Sequence, residues 1–213
     1  MRGLVLSALL LTAACFSSED SSTYAFQATR FNELKEEITG HGTAVHLDLT
    51  EYGLDRSHYL LTCAHLVDQY ERHRILVMTV WRPCQIVWKD SEMDLCVLRC
   101  EVELPSPAQL AEANPKPKDR ISTIGYSKGE RSKLLKGRVC DDPVGAPRML
   151  RQASIKGFDH GCSGAGIFYD GKVAGVVTGG VPAEGGYMIE DLANFMPVRR
   201  IRMFLLYESK ERK

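Results

Sequence analysis

The sequence predicts an all-β fold: two antiparallel barrels of six short strands each, with a short helix on the N-terminal side and another at the C-terminal end. Three observations carry this expectation. Over residues 42–99, and again over 121–189, short runs of β-branched and large apolar residues alternate with turn signals. Between them, residues 103–119 hold Pro105, Pro107, Pro115 and Pro117 and read as an extended connector. The chain has 213 residues, 44% of them hydrophobic and 25% charged, which suits one globular domain or two half-barrels sharing a core.

Taken in order, the first residues have the form of an export signal. Arg2 supplies the positive start, residues 3–12 are mostly apolar, and Thr12, Ala13 and Ala14 are small enough for cleavage. The apolar run is too short to span a bilayer. Cys15 follows directly and resembles the lipidated cysteine of a bacterial lipobox, although Thr12 stands where that motif has leucine. Export from a bacterial cell is expected, with plain secretion and lipid anchoring both open. A polar tether is expected over 15–27, the folded domain over 28–213, its barrels over about 40–104 and 119–195, and its closing helix over about 197–208.

Within the domain, Phe31, Leu34 and Ile38 fall at helical spacing and predict a short amphipathic helix over 28–38. Strands are expected at 43–49, 58–62, 75–81, 85–88 and 95–99, separated by turns at Tyr52-Gly53, Arg82-Pro83 and Lys89-Asp90-Ser91. In the second half they are expected at 121–125, 137–140, 149–153, 166–169, 173–177 and 187–189, with Asp170-Gly171 as a hairpin turn. Val198, Ile201 and Leu205 then return to the helical period.

The formal net charge is zero, so nucleic acid is not an expected partner. The only membrane contact expected is through a lipid at Cys15. The basic residues after Pro197 read as a solvated helix face. Six further cysteines do not form an obvious disulfide framework. Cys63 and Cys96 sit in apolar runs as small hydrophobes. Cys84 and Cys100 alone are placed symmetrically about a turn near Glu92, where a bridge would need the right Cα separation.

Three short motifs carry chemistry. In Gly161-Cys162-Ser163-Gly164, a serine between glycines can sit on a tight turn with its Oγ exposed, and the surrounding N–H groups can converge on an oxyanion. His65 ends the apolar run Tyr59-Leu60-Leu61-Thr62-Cys63-Ala64, where a ring could reach a cleft from an anchored backbone. Asp94 leads directly into Leu95-Cys96-Val97-Leu98, and a carboxylate buried there must find a donor such as an imidazole N–H. Each is weak alone. Their order along the chain, His, Asp, Ser, is that of the chymotrypsin arrangement and not of subtilisin-like or α/β-hydrolase enzymes.

The chain thereby resembles the trypsin-like serine peptidases of the chymotrypsin clan, particularly the bacterial HtrA/DegP type. Gly42-Thr43-Ala44-Val45 resembles the opening G-S-G-F-V strand, Leu61 to His65 the motif L-T-x-A-H, and Asp94 to Leu98 the motif D-L-A-V-L. Gly161 to Gly164 resembles G-N-S-G, residues 175–180 the substrate-pairing strand, and Phe195-Met196-Pro197-Val198 the F-A-I-P-V before a closing helix. The likeness implies barrels of chymotrypsin type and a serine endopeptidase acting through an acyl-enzyme. Ser163 would be the nucleophile, His65 the base and Asp94 its orienting partner. The N–H groups of Gly161 and Ser163 would form the oxyanion hole, Thr178 would support Asp94, and Thr178, Gly179, Gly180 and His160 would meet a protein or peptide substrate. No cofactor is required by this chemistry.

The departures from the pattern are specific. Cys162 replaces the usual aspartate or asparagine before the nucleophile, which removes activation by pairing with a new N-terminus. Ala165-Gly166 replaces Gly-Pro. The stretch 152–161, which shapes the specificity pocket, is one residue longer than the family pattern. Length for a PDZ domain is lacking after the closing helix, so regulation by PDZ capture is not expected. Two other readings remain: an inactive trypsin-fold binding module, and a metal site from Cys63, His65, Cys96 and Cys100. The second puts ligands in strand interiors, where structural zinc is uncommon.

Overall fold

A computed structural model describes residues 22–127, 130–131, 134–141, 149–159, 161–183 and 188–211. The residues expected to form an export signal lie outside these residues, as do Cys15 and His160. Two closed antiparallel barrels of six strands dominate the chain. The first is built from β1 (Thr23–Phe31), β2 (Glu37–His46), β3 (Tyr59–Thr62), β4 (Arg72–Val77), β5 (Val80–Asp90) and β6 (Leu95–Cys100), in the order β1-β2-β3-β6-β5-β4. Along the second half run β7 (Arg120–Thr123), the small hairpin β8 (Tyr126–Ser127) and β9 (Glu130–Arg131), then β10 (Leu135–Val139), β11 (Arg151–Ile155), β12 (Gly166–Tyr169), β13 (Lys172–Pro182) and β14 (Met188–Pro197). Its barrel order is β10-β11-β14-β13-β12-β7. Helix α1 (Val198–Glu211) closes the chain.

The alternation of side chains along each strand divides the core in three. On β6, Cys96, Leu98 and Cys100 point into the first barrel with Phe26, Leu60 and Ile75. Leu95 and Val97 point outward, against Phe168, Val176 and Met196 of the second barrel. This interbarrel layer also receives Val198, Ile201, Phe204 and Leu205, so α1 is held by the apolar stripe its sequence shows. The proline-rich connector bridges both halves, pairing Ala108 with Leu47 and Leu110 with Val173. Arg202 of α1 fastens it by donating to the carbonyls of Ala111 (3.2 Å) and Leu110 (3.3 Å).

The N-terminal helix expected over 28–38 is not formed, and the barrel begins earlier than residue 40. Residues 23–31 and 37–46 instead make the β1–β2 hairpin, with Thr23 to Gln27 drawn out of the expected tether. Asn32 turns the chain: its Oδ1 accepts from the N–H groups of Leu34 (3.0 Å) and Glu36 (2.8 Å). Lys35 takes φ 61 there. Phe31 and Leu34, which suggested a helical face, are exposed. The barrel decides the matter, because β1 pairs with both β2 and β4 and so closes the sheet.

A second difference lies in the next hairpin. The expected strand over 75–81 is divided by a turn at Met78 (φ 57), and Arg82-Pro83 lies inside β5. Cys84 and Cys100 are direct partners across β5 and β6, as the symmetric placement suggested, and both thiols are free.

Two histidines, the buried His46 and the half-buried His73, make stability depend on pH. Burial lowers the pKa of His46, between the carbonyls of Pro105 and Arg56, and that of His73, stacked on Phe26. Unfolded, each takes up a proton near 6.5; folded, each resists until a lower pH. Their stabilising contribution is therefore present above about pH 6.5 and is lost as pH falls below it. Thermal unfolding should give a lower Tm at pH 5.5 than at 7.5, and His46→Gln should flatten part of that slope.

Candidate active site

His65 lies on a single 3-10 turn (Ala64–Leu66) that follows β3, so its backbone is anchored by the buried run Tyr59–Thr62. Asp94 stands at the end of the turn joining β5 to β6. Its φ of 53 is left-handed, a conformation that aspartate tolerates better than most residues. The two side chains meet closely: His65 Nδ1 lies 2.8 Å from Asp94 Oδ2 and 3.0 Å from Oδ1. The His65 backbone N–H also donates to Asp94 Oδ1 at 2.9 Å. A carboxylate gripped at both points fixes the ring and favours the tautomer with its proton on Nδ1, leaving Nε2 as the basic nitrogen.

Ser163 comes from the other barrel, on the turn between β11 and β12. Gly161 (φ 96) and Gly164 (φ 85) flank it in left-handed conformations that a side chain would strain. The turn is tied down from both barrels. Gly164 N–H donates to Val177 O (2.8 Å), Ala165 N–H to Cys162 O (2.9 Å), and Thr43 N–H of β2 to Ser163 O (2.8 Å). A Cβ on Gly164 would fall 1.9 Å from Thr43 O and 2.4 Å from Thr62 Oγ1, so the barrels meet here with no room for one.

A cleft of about 300 Å³ joins these parts. His65, Gly161, Ser163, Thr178, Gly179 and Gly180 line it together with Phe158, Asp159 and residues 188–191. Asp94 stands behind His65. The sequence-derived residues are thus brought together, apart from His160, which lies outside the described residues. Beyond Val176, β12 no longer pairs with β13, so residues 178–180 keep β14 on one side and turn the other edge to the cleft.

The Thr178 hydroxyl donates to Asn194 O (3.4 Å), and Thr178 and Asp94 line one pocket together. The set Cys63, His65, Cys96 and Cys100 does not converge. Cys63 faces the interbarrel layer, whereas Cys96 and Cys100 face the inside of the first barrel. Cys63 instead lies beneath the pair: its Sγ, His65 and Asp94 offer atoms within 4.8 Å of one another, and its thiol donates to Val177 O at 3.0 Å. Burial, then the Asp94 charge, hold its pKa well above the usual thiol range, so it stays a neutral thiol. Cys162 is also buried, and burial raises its pKa, the setting of a structural thiol. Its Sγ occupies the space where a Cβ on Gly125 would sit, 2.4 Å away.

The residues missed in the sequence are those that act through space. Thr43 is fully buried and joins the serine turn to the first barrel. Its only signal was a polar residue in the otherwise small and apolar run Gly42-Thr43-Ala44-Val45. Met188 and Ile189 form a cleft wall that no local pattern marked, opposite Phe158 of the expected pocket stretch 152–161.

Two six-stranded barrels meeting at a cleft, with a histidine–aspartate pair on one side and a serine turn on the other, define the chymotrypsin-type peptidase fold. The family model for the trypsin-like peptidase domain matches residues 40–176, and the chain belongs to that family. A comparison with curated proteins gives no match. Among solved structures, the active form of the Rv3671c protease from M. tuberculosis is similar with a TM-score of 0.71 at 16% identity, covering 88% of this chain and 81% of that one. A serine-to-alanine mutant of Rv3671c from M. tuberculosis H37Rv, in an inactive form, gives 0.71 at 14% identity, covering 92% and 90%. A further inactive form of the protease gives 0.68 at 16% identity, covering 89% and 90%.

Proposed function

We propose that the chain is a serine endopeptidase whose triad is His65, Asp94 and Ser163. One observation carries the reading: the Asp94-bound His65 and the glycine-flanked Ser163 line the same cleft from opposite barrels. In this mechanism Ser163 Oγ attacks the scissile carbonyl while His65 Nε2 takes its proton. The ring then returns that proton to the leaving amine, and water repeats the sequence on the acyl-enzyme. Asp94 holds the tautomer and stabilises the imidazolium as it forms. The N–H groups of Gly161 and Ser163 receive the oxyanion, at about 3 kcal/mol per donor in comparable sites. Substrate backbone adds as a strand along the free edge at Gly180, with Thr178 and Gly179 beside it.

The export signal and Cys15 support an enzyme working outside the cytoplasm, tethered or free. Its substrates are proteins or peptides, and the scheme uses no metal or cofactor.

Cleavage of a peptide library tests the reading. The wild type should hydrolyse internal peptide bonds, and Asp94→Asn should lower kcat by about 10⁴-fold, because the amide favours the wrong imidazole tautomer. Equal, metal-independent cleavage by both would contradict the assignment. A wild type that binds peptides without cleaving them would mark the chain as a binding module.

A further inference from the structure

Thr43 takes no part in the steps above, yet its groups converge on the serine turn. Its N–H donates to Ser163 O (2.8 Å) and its Oγ1 donates to Gly161 O (2.8 Å). The same Oγ1 accepts from Tyr126 N–H (2.9 Å), while Thr43 O accepts from Thr62 Oγ1 (2.7 Å). An N–H can only donate and a carbonyl can only accept, so the single hydroxyl proton must lie toward Gly161. The hydroxyl is fully buried, and no water can replace it without displacing packed atoms.

Gly161 and Ser163 are the two residues whose N–H groups are proposed to bind the oxyanion. Each is held at its own carbonyl by Thr43. Gly161, at φ 96, has the conformational freedom of glycine, and rotation of its neighbouring peptides would turn a donor away from the cleft at small local cost. The geometry points to Thr43 as a positioning residue that keeps the oxyanion donors aimed into the cleft by clamping Gly161 and Ser163 from the opposite barrel. The inference rests on the peptidase reading, because it needs an oxyanion to form at Ser163.

A residue of this kind matters as charge develops on the substrate oxygen in the transition state, so it affects kcat and leaves KM nearly alone. Thr43→Val keeps the shape, removes the hydroxyl, and leaves Gly161 O and Tyr126 N–H without this partner. Direct loss of one oxyanion donor costs about 10²–10³ in kcat. Acting one step removed, Thr43→Val should lower kcat on fluorescent casein by about 10-fold, with KM within about twofold. Labelling by a fluorophosphonate should slow in the same proportion, and Thr43→Ser should recover most of both. Should Thr43→Val fold poorly, Thr43→Cys compared with Thr43→Ser at equal folded fraction gives the same test, because a thiol is the weaker donor. Unchanged kcat and labelling rate in folded Thr43→Val, or equal rates for Thr43→Cys and Thr43→Ser, would overturn the inference alone. Failure of the wild type itself to label would overturn the peptidase reading and this inference together.

Discussion

Ser163→Ala is expected to abolish turnover while leaving the fold intact. In related triads, loss of the nucleophile alone lowers kcat by about 10⁶-fold, nearly as much as loss of the whole triad. The residual rate comes from donors that still polarise the substrate carbonyl. Here Gly161 and the backbone of residue 163 keep their geometry, because the turn is held by main-chain bonds to Thr43 and Val177 and by the Thr43 hydroxyl rather than by the serine side chain. The Tm should therefore stay within about 2 °C of wild type, as for substitutions that remove no buried contact. Calorimetry alongside casein hydrolysis checks both halves of this expectation. A large fall in Tm would mean that the hydroxyl also has a structural role.

Gly164→Ala should have the largest effect on structure. Two costs combine at this position. Alanine at φ 85 is disfavoured by about 1–2 kcal/mol. Its Cβ would also fall 1.9 Å from the carbonyl oxygen of Thr43, a backbone atom that cannot rotate away. Relief requires either the turn or strand β2 to move, and both are packed at the junction of the barrels. A total of about 3–5 kcal/mol is in the range of severe overpacking and strain, equivalent to a fall in Tm on the order of 10 °C for a chain of this size. Since the displaced segment carries Ser163, labelling of the folded fraction should also drop at least about 10²-fold, comparable to losing an oxyanion donor. A variant with wild-type Tm and labelling would show that the turn is less constrained than these distances imply.

The chemistry-bearing residues were legible in the sequence because each sits in a short motif with a local rationale. A serine between glycines, a histidine ending an apolar strand and an aspartate entering one can all be read without knowing what lies across the fold. The connector was legible for the same reason, since its prolines act where they stand. Features set by through-space closure were not. Residues 28–38 carry a helical period, yet barrel closure requires a strand there, and Asn32 supplies the turn. The turn at Met78 lacks the usual turn residues, and β5 carries Pro83 in its interior. Likewise, β14 was read as three residues because polar Glu190 and Asp191, the latter at φ 58, interrupt its apolar pattern. Thr43 reached significance only through contacts with residues more than a hundred positions away.

The central claim is that Ser163 is a nucleophile activated by His65. Covalent labelling of the full chain with a fluorophosphonate, followed by mass analysis of the peptide holding residue 163, tests it most directly. The account predicts one phosphonyl group per chain on Ser163, strong loss of labelling in His65→Ala, and none in Ser163→Ala. An unlabelled wild type, or a label that persists in Ser163→Ala, would contradict it.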